Sequence, residues 1–547
     1  MVFLKYYSIL MNQFADQPRP GTVYLTVAGL RIPIEADGSA ARRSAAAAEL
    51  GLEAGEIELV KILSQAPDIA SQEQFYLVLT LVVAVPAAYK NPRNFPVFAA
   101  PAPAALPRAV LQERPIVIGF GPAGMFAALE LIERGLKPLI FERGKKIEER
   151  SADVARFIAS RVLDTESNIQ FGEGGAGAYS DGKLFSRINN SARGNKVLDT
   201  FVRFGARPDI AWLAKPHVGT DVLCAIVRNI RNYILAQGGE IRFGAKMTDL
   251  LVAGGKARGV VINGRQEYAA SHIYLAVGHS ARDTFELLRE KGAALERRGI
   301  AVGVRIEHPA ATINLIRYGA KYKGHPGLGA ATYSFNHTDR ASGRGAYTFC
   351  MCPGGEIVNA SSAQGLLAVN GMSRAARAGG FSNGALVVTC RAEDYKAEGP
   401  LAGFGFQEDI ERRAFSAGGG DWTVPAQNLE DFLSAKMSGR LNKNSCRTGT
   451  APADLRQILP GFVSDELLTA FSEFKKGYPS FVSGEAVLLA PETRTSCPVK
   501  VLRDDNCESS NIGNLYPIGE GAGYAGGITS SAIDAIKAVE CSLRHRG

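Results

Sequence analysis

Three glycines are spaced to hold a dinucleotide: Gly119, Gly121 and Gly124, in the run Val117-Ile118-Gly119-Phe120-Gly121-Pro122-Ala123-Gly124. Where a strand turns into a helix, the first glycine permits the sharp reversal, the second lets backbone approach a pyrophosphate, and the third lets the helix pack close. The unpaired N–H groups of the helix start then face the anion. Such a pattern arises by chance in a chain with 60 glycines, so its setting decides. Ile116 to Ile118 reads as an apolar strand, Met125 to Arg134 as a helix ended by Gly135, and Pro138 to Phe141 as a second strand. Glu142 follows, 23 residues beyond Gly119, where a carboxylate accepts hydrogen bonds from an adenosine ribose.

The C-terminal segment separates FAD from NAD. Leu515 to Ile518 reads as a strand, Gly519-Glu520-Gly521 puts a carboxylate at its end, and Gly526-Gly527 precede a helix from about Thr529 to Glu540. An acid there can bond a ribitol chain, and the helix start favours an anionic reduced flavin. A second glycine cluster, Phe171-Gly172-Glu173-Gly174-Gly175-Ala176-Gly177, has no strand before it and no amphipathic helix after it. It is expected to be a mobile loop lying against a flat ligand.

A flavin carries the hydride or electrons itself, so the chain need supply only positioning and an acid or base. His217, in Lys215-Pro216-His217, titrates near neutrality, and His279 follows a strand at a glycine. Cys350 and Cys352, two apart on an expected strand, share a face, where they shuttle a disulfide, touch substrate or simply pack. Lys183 and Arg494 are the cations expected nearest the flavin, with Arg282 and Arg305 as weaker versions of the same idea. No cysteine or histidine spacing suits a metal. A second dinucleotide turn is missing, as is the Cys-x-x-x-x-Cys pair of disulfide reductases, so the reductant, if NAD(P)H, has to visit the substrate cleft or a surface groove transiently.

These groups must be positioned by more than one domain, because the chain has 547 residues. Residues 1–108 read as a small α/β accessory domain: Val23 to Val27 and Leu30 to Ile34 as a hairpin around Gly29, a helix Ser44 to Leu50, two strands Ile57 to Leu63 and Phe75 to Val85, then a proline-rich linker from Asn91. Residues 109–300 and 480–547 read as the two parts of an FAD-binding domain, and 301–479 as a substrate or cap domain. Within the first part, Ile241 to Phe243, Asp249 to Val252, Ala257 to Ile262 and Glu267 to Tyr268 suggest short antiparallel strands closed by Ile273 to Val277. Leu429 to Met437 reads as helix.

Hydrophobic residues at 46% and charged ones at 21% suit a globular enzyme, and no stretch reaches the roughly 18 apolar residues of a membrane span. Met1 to Leu10 is apolar, but Lys5 interrupts it and no cleavage site follows, so Met11 is an alternative start rather than the end of a signal peptide. Eight cysteines without framework spacing fit a reducing cytoplasm. The net charge of +8 would suit nucleic acid or anionic substrates, but it is spread without a basic run of five and reads as solubility; the expected partner is a small-molecule substrate, with nucleic acid disfavoured. Oligomeric state is not legible.

With these residues in hand the chain resembles the uncharacterised family of bacterial FAD-dependent dehydrogenases with a small N-terminal domain. The strings that carry the likeness are Gly119 to Gly124, FGEGGAGAYSDGKL from Phe171, KPHVGT from Lys215, AVGHSARD from Ala276, FCMCPGG from Phe349, TRTSCPV from Thr493 and YPIGEGAGYAGGI from Tyr516. The resemblance implies an α/β fold with a glutathione-reductase-type FAD-binding Rossmann domain and a mixed α+β substrate domain. It implies cofactor contacts from Gly119, Gly121, Pro122, Ala123, Gly124, Glu142, Arg143, Gly174, Gly175, Gly177, Ser180, Asp181, Lys183, Ala276, Gly278, Arg494, Gly519, Glu520, Gly526, Gly527 and Ile528. The expected function is an FAD-dependent oxidoreductase on an unidentified organic substrate. A flavin-dependent RNA-modifying enzyme and a non-catalytic redox-sensing flavoprotein are the alternatives.

Overall fold

Alternating apolar residues near the N-terminus build a three-stranded antiparallel sheet, with Thr22–Pro33 and Glu58–Asp68 flanking Tyr76–Pro86. The computed structural model describes residues 19–99, 107–184 and 191–544, so the expectations for Met1 to Met11 and for residues 100–106 of the linker lie outside the described residues. The chain divides into two compact units. The first comprises Met1–Ala105, Leu198–Pro216 and Tyr318–Gly329. In it the helix Ser39–Leu50 lays Ala46, Ala47 and Leu50 over Leu25, Val27, Leu30, Ile32, Leu79, Leu81 and Val83.

The expected hairpin at Gly29 is instead one strand. Its register shifts between Val27 and Leu30, with Gly29 at a φ of 75°. This bulge adds one residue, so Leu25 and Val27 share a face with Leu30 and Ile32 although their parity differs. The unit also draws in two segments that the 1–108 module left out: the Phe75 ring stacks on Tyr322 at 4.1 Å, Lys321 Nζ donates to the Glu73 carbonyl at 2.6 Å, and the Ala214 N–H donates to the Gln65 carbonyl at 3.0 Å.

The second unit, Leu106–Val197, His217–Arg317 and Ala330–Gly547, holds a five-stranded parallel sheet. Its order is Leu515–Pro517, Ile273–Leu275, Ile116–Ile118, Leu139–Phe141, Glu240–Arg242. The first four strands are buried on both faces, as their unbroken apolar runs require. Glu240–Arg242, read from the sequence as antiparallel, is a parallel edge strand, because the helix Thr220–Ala236 is its crossover. The antiparallel strands Met247–Ala253, Lys256–Ile262 and Gln266–Ala269 form their own sheet.

A seven-stranded sheet follows, in the order Asn336–Thr338, Gly345–Cys352, Phe381–Cys390, Ile300–Pro309, Val487–Glu492, Val424–Asn428, Thr450–Pro452. Val487–Glu492 therefore pairs inside the expected cap region, not in the C-terminal part of the nucleotide domain where a boundary at 480 would put it. The helix expected over Leu429 to Met437 stops at Leu433, and Ala435 turns left-handed at a φ of 53°. Among the described residues no helix is long and apolar enough to cross a membrane.

Candidate functional site

The carboxyl ends of four parallel strands bring Gly119, Glu142, Ala276 and Gly519 to one edge of the sheet. Gly119 donates its N–H to the Phe141 carbonyl at 2.8 Å at a φ of 95°, and a Cβ there would stand 2.4 Å from the Ala276 carbonyl oxygen. A Cβ on Gly124 would stand 2.0 Å from the Gly119 oxygen, so the turn closes only with glycine at both places. Pro122 and Ala123 open the helix Pro122–Glu133, proline occupying a first-turn position that needs no N–H.

Glu142 is buried and already accepts three backbone N–H groups: Phe120 at 2.8 Å, Gly144 at 2.9 Å and Gly172 at 3.0 Å. A carboxylate offers about four acceptor positions, which leaves one for a ribose hydroxyl. Arg143 is held by Glu166 at 2.7 Å and Asp283 at 3.0 Å and covers the Phe171 ring, so its charge is compensated by protein.

The glycine segment Phe171 to Gly177, expected as a mobile loop, is mostly buried and bonded throughout. Fully buried Arg150 donates to the carbonyls of Asn168 at 2.8 Å, Ile169 at 2.9 Å and Glu173 at 2.6 Å. Gly174 donates to the Phe120 carbonyl at 2.8 Å, and a Cβ on Gly175 would lie 3.0 Å from Gly121 Cα. Gly177 faces both Pro122 and Ile528, where a Cβ would meet each at 3.2 Å. Burial pushes the Glu173 carboxyl up to about 7, against the Ile147 N–H and Arg231 that it binds.

On the C-terminal side Gly519 donates to Asp534, which Arg503 neutralises. Glu520 stands 3.1 Å from His279 Nδ1, and the buried His279 Nε2 has no partner among the described residues. A Cβ on Gly278 or Gly526 would meet nothing within 4 Å, and one on Gly527 only Ser530 at 4.0 Å, just before the helix Ile528–Arg544. Arg494, expected beside the flavin, is committed to Glu411 at 3.0 Å, Ser362 at 2.6 Å and Ser280 at 3.2 Å. Burial alone would raise Glu411, but Arg494 and Arg282 bring it down to about 2.

A second constellation surrounds the two cysteines. Ser180 caps the turn into it, donating to the Gly177 carbonyl at 2.8 Å and accepting the Gly182 N–H at 3.0 Å. Buried Asp181 binds Lys183 at 3.0 Å and Arg377 Nε at 2.9 Å, with Ser373 as a further donor. Lys183 pairs through its backbone with His217, whose Nε2 donates to the Ala375 carbonyl at 2.9 Å and leaves Nδ1 as the basic atom. Burial first, and then Arg377, holds His217 below the ordinary imidazole range. Arg305, completely buried, donates to Glu492 at 2.9 Å, to Asn383 Oδ1 at 2.7 Å and to the Cys350 carbonyl at 2.9 Å, and reaches Cys352 Sγ at 3.7 Å.

Sequence reasoning named Lys183, His217, Cys350 and Cys352, and the fold brings them together. It missed Arg377, Asn383, Glu492 and Tyr333. Gly371 was also silent, yet a Cβ there would stand 1.8 Å from Arg305 Nη1. Nothing in the sequence marks these five except Glu492, two residues before Arg494 in a string already singled out.

Parallel sheet, closed glycine turn and acidic strand ends define a dinucleotide-binding α/β protein. Residues 299–495 match the family model described as FAD-dependent protein, C-terminal domain-like. A protein of Clostridium beijerinckii (strain ATCC 51743 / NCIMB 8052), itself named only as an uncharacterized protein, is 43% identical over 432 residues, which is 79% of this chain and 80% of its own length. The chain belongs to this family of FAD-dependent proteins. Among solved structures, 2-methyl-3-hydroxypyridine-5-carboxylic acid oxygenase is 13% identical over 80% of this chain and 84% of its own, at a TM-score of 0.34. A geranylgeranyl bacteriochlorophyll reductase-like protein from Thermoplasma acidophilum is 12% identical over 78% and 77%, also at 0.34. Likenesses at that level carry no argument, and the assignment rests on the relative and the family model.

Proposed function

We propose that this chain is an FAD-dependent oxidoreductase of the glutathione-reductase type, passing hydride or electrons between FAD and an organic substrate. The observation that carries the reading is the gathering of Gly119, Glu142, Ala276 and Gly519 at one edge of a single parallel sheet, from stretches at both ends of the chain. The residues fit the cofactor. Open space lies beside Gly278, Gly526 and Gly527, and the buried His279 Nε2 lacks a partner there.

FAD when bound supplies two-electron chemistry at its ring; the chain supplies everything else. The start of Pro122–Glu133 holds the pyrophosphate, and Glu142 takes a ribose hydroxyl at its remaining acceptor position. Glu520 and His279 hold the ribitol side, and the start of Ile528–Arg544 favours negative charge on the ring. Lys183 and Arg305 supply positive charge at the substrate, and His217 Nδ1 supplies a base. NAD(P)H is the proposed transient reductant.

Chromatography of the supernatant from heat-denatured protein tests this reading. FAD is the expected product, and NAD or FMN in its place overturns it. Bleaching of the bound flavin by NADH or NADPH under anaerobic conditions tests the donor.

A further inference from the structure

Cys350 and Cys352 lie where a strand breaks its own rule. Two residues apart along a regular strand have Cα atoms about 6.6 Å apart, at the long end of the roughly 4.4 to 6.8 Å that a disulfide spans, and their parallel Cβ bonds do not bring the Cβ atoms to the roughly 3.8 Å it needs. Here the register slips between Phe349 and Cys352, and Cys350 adopts a φ of 43°, rare for a side chain that is not glycine. The kink folds the two cysteines against each other: the Cys352 thiol donates to the Cys350 carbonyl at 3.6 Å, and Arg305 Nη1 reaches Cys352 Sγ at 3.7 Å. Cys350 is partly accessible, Cys352 buried.

The charges around the pair do not balance. Lys183, Arg305 and Arg377 face the carboxyls of Asp181, Glu492 and, two residues along the strand from Arg305, Glu307, but burial pushes both Glu492 and Glu307 up to about 7, so their negative charge is incomplete near neutrality, and His217 and Tyr333 are neutral. Among the described residues Lys183 makes no hydrogen bond beyond its ion pair, and the Tyr333 hydroxyl and Asn383 Nδ2 have no partner. An uncompensated buried cation is strongly unfavourable. The cluster is short of negative charge, and Cys350, beside Lys183 and Arg305, is placed to supply it.

We propose that Cys350 and Cys352 form a redox-active dithiol in which Cys350 is the attacking thiolate and Cys352 the resolving thiol. The inference does not rest on the flavin reading. The neighbouring Cys352 thiol first, then Lys183 and Arg305, hold the Cys350 thiol well below its ordinary range against its burial, while Cys350 and burial push Cys352 up. With a small organic disulfide as oxidant, Cys350 attacks one sulfur and expels a thiolate. Cys352 then gives up its proton to that thiolate and attacks the Cys350 sulfur, expelling the second thiolate. Two cysteine sulfurs are oxidised, two external sulfurs are reduced, and the sum is one thiol and one thiolate released for one thiol and one thiolate consumed.

Full-length protein incubated with bis(2-hydroxyethyl) disulfide, then read by intact mass and peptide mapping, tests it. The expected product is the Cys350–Cys352 disulfide, two hydrogens lighter and free of adduct. Cys352→Ser should instead hold one mercaptoethanol on Cys350, and Cys350→Ser should react no faster than Cys224 or Cys541, which are partly exposed and serve as internal comparison. If Cys350 in the unmodified sequence reacts no faster than those two, or if adducts accumulate without closure, the proposal is overturned. Should either serine variant fail to fold, Lys183→Met carries the test: the pH of half-maximal alkylation of Cys350 should rise by about one unit or more, and an unchanged or lower value contradicts the thiolate. Flavin absorbance of the same sample keeps the two readings apart, since a yellow protein without closure loses only the dithiol.

Discussion

The nucleotide edge and the thiol–cation cluster are built on opposite plans. At the edge, short segments next to each other in sequence do most of the work: a five-residue turn from Gly119 to Ala123, the acid that ends the next strand, and backbone N–H groups that need no side chain. In the cluster, seven separate stretches contribute side chains, and its ion pairs, Lys183 and Arg377 on Asp181 and Arg305 on Glu492, join distant parts of the chain. Backbone recognition tolerates change in everything but the glycines, whereas a buried charge cluster depends on each partner being present.

The largest effect should therefore come from the cluster. Arg305→Met leaves Glu492 buried without its cation and should lower stability by about 3 to 5 kcal/mol, read from the urea midpoint; a loss below about 1 kcal/mol would mean the charges are better solvated than their burial implies. Glu307, two residues along the same strand, sharpens the point. Burial pushes its carboxyl up to about 7 although Ser445 donates to it from both N–H and hydroxyl. Because the folded state holds this proton more tightly than the unfolded state, stability should fall as pH rises from about 4.5 to 7, by on the order of 3 kcal/mol. Glu307→Gln should flatten that slope, measured as midpoints at pH 5 and pH 8; an equal slope in both proteins would assign it elsewhere.

At the nucleotide edge a single side chain matters less. Glu142→Ala should weaken FAD binding by about ten- to a hundredfold, the worth of a charged hydrogen bond of roughly 1.5 to 3 kcal/mol. Unchanged affinity in a fluorescence titration moves the ribose contact elsewhere. The smallest effect belongs to exposed pairs such as Arg19 and Glu58: Arg19→Ala should change stability by less than about 0.5 kcal/mol, and a larger loss would show that surface charge cannot be set aside in the comparison.

The same contrast decides how much could be read from sequence. The glycine turn, Glu142 and the Gly519 to Gly527 run were legible because their meaning lies in local spacing. Lys183, Cys350 and Cys352 were visible as residue types, but Asn383, Arg377 and Glu492 acquire a role only once distant strands pair. Alternation misled at Gly29, where a bulge and a hairpin leave similar patterns, and at Glu240–Arg242, where strand direction is set by a helix several turns long. The 1–108 boundary was drawn at a composition change, yet Trp212, Tyr318 and Tyr322 belong to that unit. A chain starting near Val110 would expose them, so it should aggregate rather than remain soluble.

Electron density for FAD in crystals of the full chain tests the central claim most directly. The account predicts the adenosine ribose on Glu142, the pyrophosphate at the start of Pro122–Glu133 and the flavin ring beside Gly278 and Gly526 to Ile528. Cofactor density elsewhere, with Glu142 still bound only by the Phe120, Gly144 and Gly172 N–H groups, would contradict it.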